Sequence, residues 1–128
     1  MGTRSFTDLE VYQTSRLLRK KVAVLVESNF PETEKYKLSD QIIRSSRRVT
    51  ACIAEGYGRY YFKENIRFCR MARGSLLETL EHLITAFDTN YITGESLKDF
   101  KNDIDSCGRL INGYISYLKK SKPPKDED

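Results

Sequence analysis

The chain has 128 residues and a mass of 14.9 kDa, which suits one domain with a modest core. Hydrophobic residues make up 39% and charged residues 31%, and the mean hydropathy is −0.56. No apolar run reaches the ~20 residues of a membrane helix. Residues Met1 to Arg16 lack the apolar core of a signal peptide, so a cytoplasmic protein is expected. Three widely spaced cysteines (Cys52, Cys69, Cys107) read as reduced, buried thiols rather than a disulfide framework. The single histidine, His82, excludes a multi-histidine metal site and most histidine-based catalysis.

The net charge of +4 is unevenly placed. Residues 1–40 carry seven Lys/Arg against six Asp/Glu, and residues 76–128 carry seven against ten. Residues 41–75 carry eight against two, so this one stretch supplies the whole basic excess. A local excess of this kind points to a polyanionic partner.

In chain order, Thr7 and Glu10 form a capping box for a first helix, with Phe6 and Val11 as its hydrophobic staple. Val11, Ser15, Leu18, Val22 and Leu25 recur on one helical face as far as Ser28, where Asn29-Phe30-Pro31 stops it. Residues 29–37 read as a polar loop. Ser39 is the expected cap of a second helix, whose stripe is Ile42, Ser46, Val49, Ile53 and Tyr57. Interleaved Ser, Thr and Ala would admit a close neighbour, and Gly56-Tyr57-Gly58 ends the helix.

A third helix is expected from Phe62 to about Thr89, with Phe62, Ile66, Cys69, Leu76, Leu80, Leu83, Ile84 and Phe87 on one face. Gly74 inside it costs about 1 kcal/mol relative to alanine, so close packing is expected there. Arg73 lies on the line of the apolar stripe and should bridge to a carboxylate or emerge between helices. Thr93 caps a fourth helix, with Ile92 and Leu97 as staple. Leu97, Phe100, Ile104, Cys107, Ile111, Tyr114 and Leu118 alternate spacings of three and four along it. There is no period-2 strand and no internal repeat. The expected fold is all-α, an antiparallel up-down-up-down four-helix bundle over residues 1–120, followed by a disordered charged tail over 121–128.

The residues offer little for catalysis. A di-iron carboxylate bundle needs two Glu-x-x-His pairs, and His82 follows Glu78 by four positions with no second histidine. The cysteines fall on separate helices at core positions, as small hydrophobes do. Gly56-x-Gly58 is too short for a dinucleotide fingerprint, and neither a phosphate-binding loop nor a G-x-S-x-G elbow is present. The expectation is no enzyme, no cofactor and no metal.

The basic stretch is the candidate site. Arg44, Arg47, Arg48, Arg59, Lys63, Arg67, Arg70 and Arg73 are interleaved with Tyr57, Tyr60, Tyr61 and Phe68. Guanidinium groups bind phosphate in bidentate fashion, and aromatic rings stack on unpaired bases. Glu55 and Glu64 are the only carboxylates nearby in sequence. Polyanion contact, ion pairs with acidic residues of a neighbouring subunit, and a solvated surface all remain open at this point. Tyr57, Tyr60, Tyr61, Phe68 and Met71 lie off the main stripes, and such a surplus suggests an interface through the second and third helices.

Several segments carry a family resemblance. Phe6-Thr7-Asp8-Leu9-Glu10-Val11-Tyr12-Gln13 is similar to the opening of the small four-helix-bundle proteins encoded by 23S ribosomal RNA intervening sequences. Leu38-Ser39-Asp40-Gln41-Ile42 with Arg44-Ser45-Ser46, then Ile53-Ala54-Glu55-Gly56 and Ala72-Arg73-Gly74-Ser75-Leu76, resemble that family's later signatures in order and spacing. The resemblance covers residues 6–118. Arg47 and Arg48 stand where the family has small or apolar residues, and Cys52 where asparagine is frequent; the two arginines add positive charge.

The resemblance implies a bacterial cytosolic protein without known enzymatic activity that assembles as a homopentameric ring. The chain is similar, more distantly, to the accessory variability proteins of diversity-generating retroelements, which bind a reverse transcriptase and nucleic acid. Two functions are therefore expected. One is a non-catalytic protein binding structured RNA through a basic surface on its second and third helices. The other is an oligomeric adaptor holding a protein partner such as a reverse transcriptase.

Overall fold

Each helix forms where the apolar spacing predicts it, and the termini show which caps act. The computed structural model describes residues 5–123; residues 124–128, most of the expected tail, lie outside that range. Four helices follow one another: α1 (Glu10–Asn29), α2 (Leu38–Tyr57), α3 (Phe62–Asp88) and α4 (Gly94–Lys120). No strand occurs among the described residues. Every pair of helices adjacent in sequence is packed, and α1 closes against α4; the backbones of the diagonal pairs do not come close. The result is the expected antiparallel four-helix bundle, with α1 and α3 at opposite corners.

Two expected caps are corrected. The chain begins in a 3-10 turn, Phe6–Asp8, capped by the Ser5 side chain, which accepts from Thr7 N. Leu9 then turns extended and α1 starts at Glu10 without a side-chain cap, so the Thr7–Glu10 box does not form. The Gln13 amide instead donates to the Thr7 carbonyl at 3.1 Å. Nor does Ser39 cap α2. The Glu34 carboxylate from the preceding loop accepts from Leu38 N at 3.2 Å, so the helix begins at Leu38, two residues before a Ser39 cap would start it, and Ser39 is buried in its first turn. Thr93 does cap α4, accepting from Ser96 N at 3.1 Å. α3 ends in a Schellman motif around Asn90, whose φ of 65° suits asparagine: Tyr91 N donates to Ala86 O and Asn90 N to Phe87 O.

The core follows the stripes. Val11, Leu18 and Val22 of α1, Ile42, Val49 and Ile53 of α2, Ile66, Cys69, Leu76 and Leu83 of α3, and Leu97, Phe100, Ile104, Cys107, Ile111 and Leu118 of α4 are buried. Seven expected stripe residues sit at its margin. Leu25, Tyr57, Phe62, Leu80, Ile84 and Tyr114 are half-buried, and Phe87, at the end of α3, is exposed.

The closest seam, α2 against α3, is lined by small and polar residues. Ser45 and Thr79 share a buried hydrogen bond of 2.8 Å, and the hydroxyl that accepts in it donates to a carbonyl of its own helix, Ile42 O for Ser45 or Ser75 O for Thr79. Gly56 is buried against α3; a Cβ there would lie 2.6 Å from Asn65 Oδ1. Gly74 behaves oppositely to expectation, because no atom lies within 4 Å of where its Cβ would be. The opposite end of the bundle is tied by Glu34, which also accepts from the Tyr91 hydroxyl at 2.7 Å, while Phe30 packs on the Tyr91 ring.

Candidate nucleic-acid interface

The eight candidate cations do not form one continuous face. Arg44, Arg47 and Arg48 project from the outer side of α2, which the buried stripe Ile42–Ser46–Val49–Ile53 leaves to solvent. All three are exposed, and none has a carboxylate within ion-pair distance among the described residues. Ala51, one turn further on, is exposed and too small to screen them. A groove of about 570 Å³ lined by Arg44, Arg47, Arg48, Ala51 and Glu78 runs between α2 and α3. A second, of about 490 Å³, runs between α1 and α2 and is lined by Phe6, Tyr12, Arg19, Arg47, Thr50, Ala51 and Ala54. Arg47 and Ala51 form the ridge between the two.

The remaining cations lie elsewhere. Arg59 engages both carboxylates of the segment, Glu55 at 2.9 Å and Glu64 at 3.4 Å. Its guanidinium and that of Arg67 each stand 4.9 Å from the centroid of the Phe68 ring. Lys63 and Arg70 are exposed on the outward side of α3. Arg73 faces the other way, emerging between α3 and α4, where it donates to Asn112 Oδ1 at 2.7 Å rather than to a carboxylate. A single surface shared by the second and third helices is therefore too simple: three arginines form a ledge on α2, two flank Phe68, and one belongs to the α3–α4 seam.

Sequence reasoning missed Arg19. It lies on α1, outside the basic stretch, and donates to Thr50 Oγ1 at 3.0 Å, which holds it beside Arg47. Its one sequence signal is its place one turn after the buried Ser15, at the rim of the α1 stripe.

The aromatic surplus is largely absorbed by the monomer. Tyr57, Tyr61, Phe68 and Met71 are half-buried; Tyr60 is exposed and packs edge-on to Tyr61. The cysteines are buried, and burial pushes all three thiols up, Cys69 to about 11. No helix among the described residues is long and apolar enough to cross a membrane.

Residues 7–113 match the family described as 23S rRNA-intervening sequence protein. The chain belongs to this family. Among solved structures it is similar to a protein of unknown function from the S23 ribosomal protein family of Bacteroides thetaiotaomicron. That similarity has a TM-score of 0.75 and 25% identity, covering 82% of this chain and 97% of the other. No curated protein matches the chain. The family match covers α1 to α3 and most of α4, so the α2 ledge and the α2–α3 seam both fall inside the family's domain.

Proposed function

We propose that this protein binds structured RNA, without catalysing a reaction on it, through the arginine ledge of α2. The observation that carries this reading is the ledge itself: Arg44, Arg47 and Arg48 are adjacent, exposed and unpaired, with open grooves on both sides and a bare alanine beside them. An arginine cluster built for monomer stability would be expected to hold carboxylates, as Arg59 does. Guanidinium groups left to water are matched to phosphate oxygens, which accept two parallel N–H bonds. Membership in a family named for an rRNA insertion supports RNA as the polyanion.

Arg19 and the cations of α3 widen the positive field around the ledge. Assembly of copies into a ring, a homopentamer by the family resemblance, would repeat it and combine weak contacts through effective concentration. Arginines of this kind engage phosphate, so affinity should be tight at low salt, fall steeply as salt rises and depend little on sequence.

The test is a titration of a labelled RNA hairpin with the full chain across ~50–200 mM salt. Arg47→Ala/Arg48→Ala should weaken binding and reduce the log–log salt slope by about two, one for each phosphate that is no longer neutralised. A double variant that binds like the parent over this range would refute the ledge as the site. Binding only to a co-purifying protein, with a shallow salt slope, would favour the adaptor function instead.

A further inference from the structure

Two outward faces of the bundle carry apolar side chains that nothing in the monomer covers. On α1, Leu17 is 60% and Val24 63% exposed, with Lys20 between them. On α3, Leu77 is 58% exposed, Ile84 is half-buried seven residues later, and Glu81 lies between them. The two faces have the same heptad spacing and opposite charge. Neither Lys20 nor Glu81 forms an ion pair among the described residues. Gly74, one turn before Leu77, gives up helix propensity for no contact inside the bundle.

The two strips also lie at nearly the same height. Lys21 of α1 pairs with Asp99 and Asp103 of α4. Further along α4, Gly108 lies against Leu76 and Asn112 bonds Arg73. Followed along these antiparallel helices, Lys20 comes level with His82 and Leu83 of α3, and Leu17 and Val24 fall within about three residues, roughly 4 Å, of Leu77 and Ile84. α1 and α3 run in the same direction, so copies standing side by side would bring the strips together without tilting.

We propose that these faces are the two halves of one contact between copies of this chain: Leu17, Lys20 and Val24 of one copy against Leu77, Glu81 and Ile84 of the next. Because α1 and α3 occupy opposite corners of the bundle, the contact is heterologous, and each added copy leaves one face open until a ring closes. Both strips lean toward α4. Leu17 lines a cleft with Asp103, Ser106 and Cys107 of that helix, and Leu77 is one turn from Arg73, which reaches Asn112. Successive contacts therefore curve toward α4, which faces the interior of the ring, and place the α2 ledge on its outer wall. This inference rests on the assembly part of the proposed function and is independent of RNA binding.

Light scattering on the full chain at micromolar concentration tests it. The wild type should give a multiple of 14.9 kDa. Leu17→Arg and Leu77→Arg should each reduce it to the single-chain mass with unchanged helical circular dichroism, since both side chains are exposed. Lys20→Glu and Glu81→Lys should each raise the dissociation constant about a hundredfold by placing like charges together at every contact. Combining the two should restore the wild-type mass. An assembled wild type indifferent to all four variants would overturn this contact and leave the ring itself standing. A monomeric wild type would overturn both, and failure of the double variant to reassemble would overturn the pairing.

Discussion

Replacing Gly56 with alanine puts the close approach of α2 to α3 to the test. The new Cβ would lie 2.6 Å from Asn65 Oδ1, 2.9 Å from Phe68 Cβ and 3.1 Å from the Asn65 carbonyl. None of these atoms yields cheaply. The Asn65 amide is buried, accepts from the Cys69 thiol at 3.6 Å and donates to the Tyr114 hydroxyl at 3.2 Å. Phe68 Cβ and the Asn65 carbonyl are fixed to the α3 backbone, so relief requires the helices to move apart. Overpacking of this kind costs about 1–3 kcal/mol, against a helix-propensity gain of about 1 kcal/mol. The net expectation is a loss of up to about 2 kcal/mol. Gly113, inside α4, supplies the control, because its Cβ would meet nothing within 4 Å. Gly113→Ala should gain up to about 1 kcal/mol from the propensity term alone. Urea unfolding of both variants reads the difference. Equal stability for the two would refute the argument that Gly56 is retained for helix approach.

Two further outcomes follow from the core and from the bundle end. Ile104, 2% exposed on α4, should cost roughly 2–5 kcal/mol when replaced by alanine, and a loss under about half a kcal/mol in denaturant unfolding would mean that the site collapses around the gap. The Tyr91 hydroxyl and then Leu38 N, both bonded to Glu34, hold its carboxyl below the usual 4.5, so the stability it confers is present above that value and lost as pH falls through the lowered folded value. Glu34→Gln should therefore be less stable than wild type near neutrality, and the gap should close as the pH drops below 4.5; a gap independent of pH in thermal melts would contradict the linkage.

The sequence by itself determined the number of helices, their buried faces and their order, because a 3.6-residue period is visible wherever one side of a helix faces the core. It also located the basic excess, since charge is a property of composition. Caps were less legible. Thr93 satisfies its own helix locally, whereas Glu34 acts from another turn of chain on Leu38 and Tyr91, a partnership that no spacing rule contains. Gly56 and Gly74 both lie within helices, yet Gly56 lies against α3 and Gly74 faces open space; helix crossing, which depends on both partners, decided between them. Tertiary structure likewise divided the arginines. Arg59 found carboxylates and Arg73 turned to α4, while α1 brought Arg19 to the ledge from 28 residues before Arg47 in the chain. Sequence counts the charges on a helical segment, but which of them remain available to a ligand depends on the side chains that neighbouring helices bring beside them.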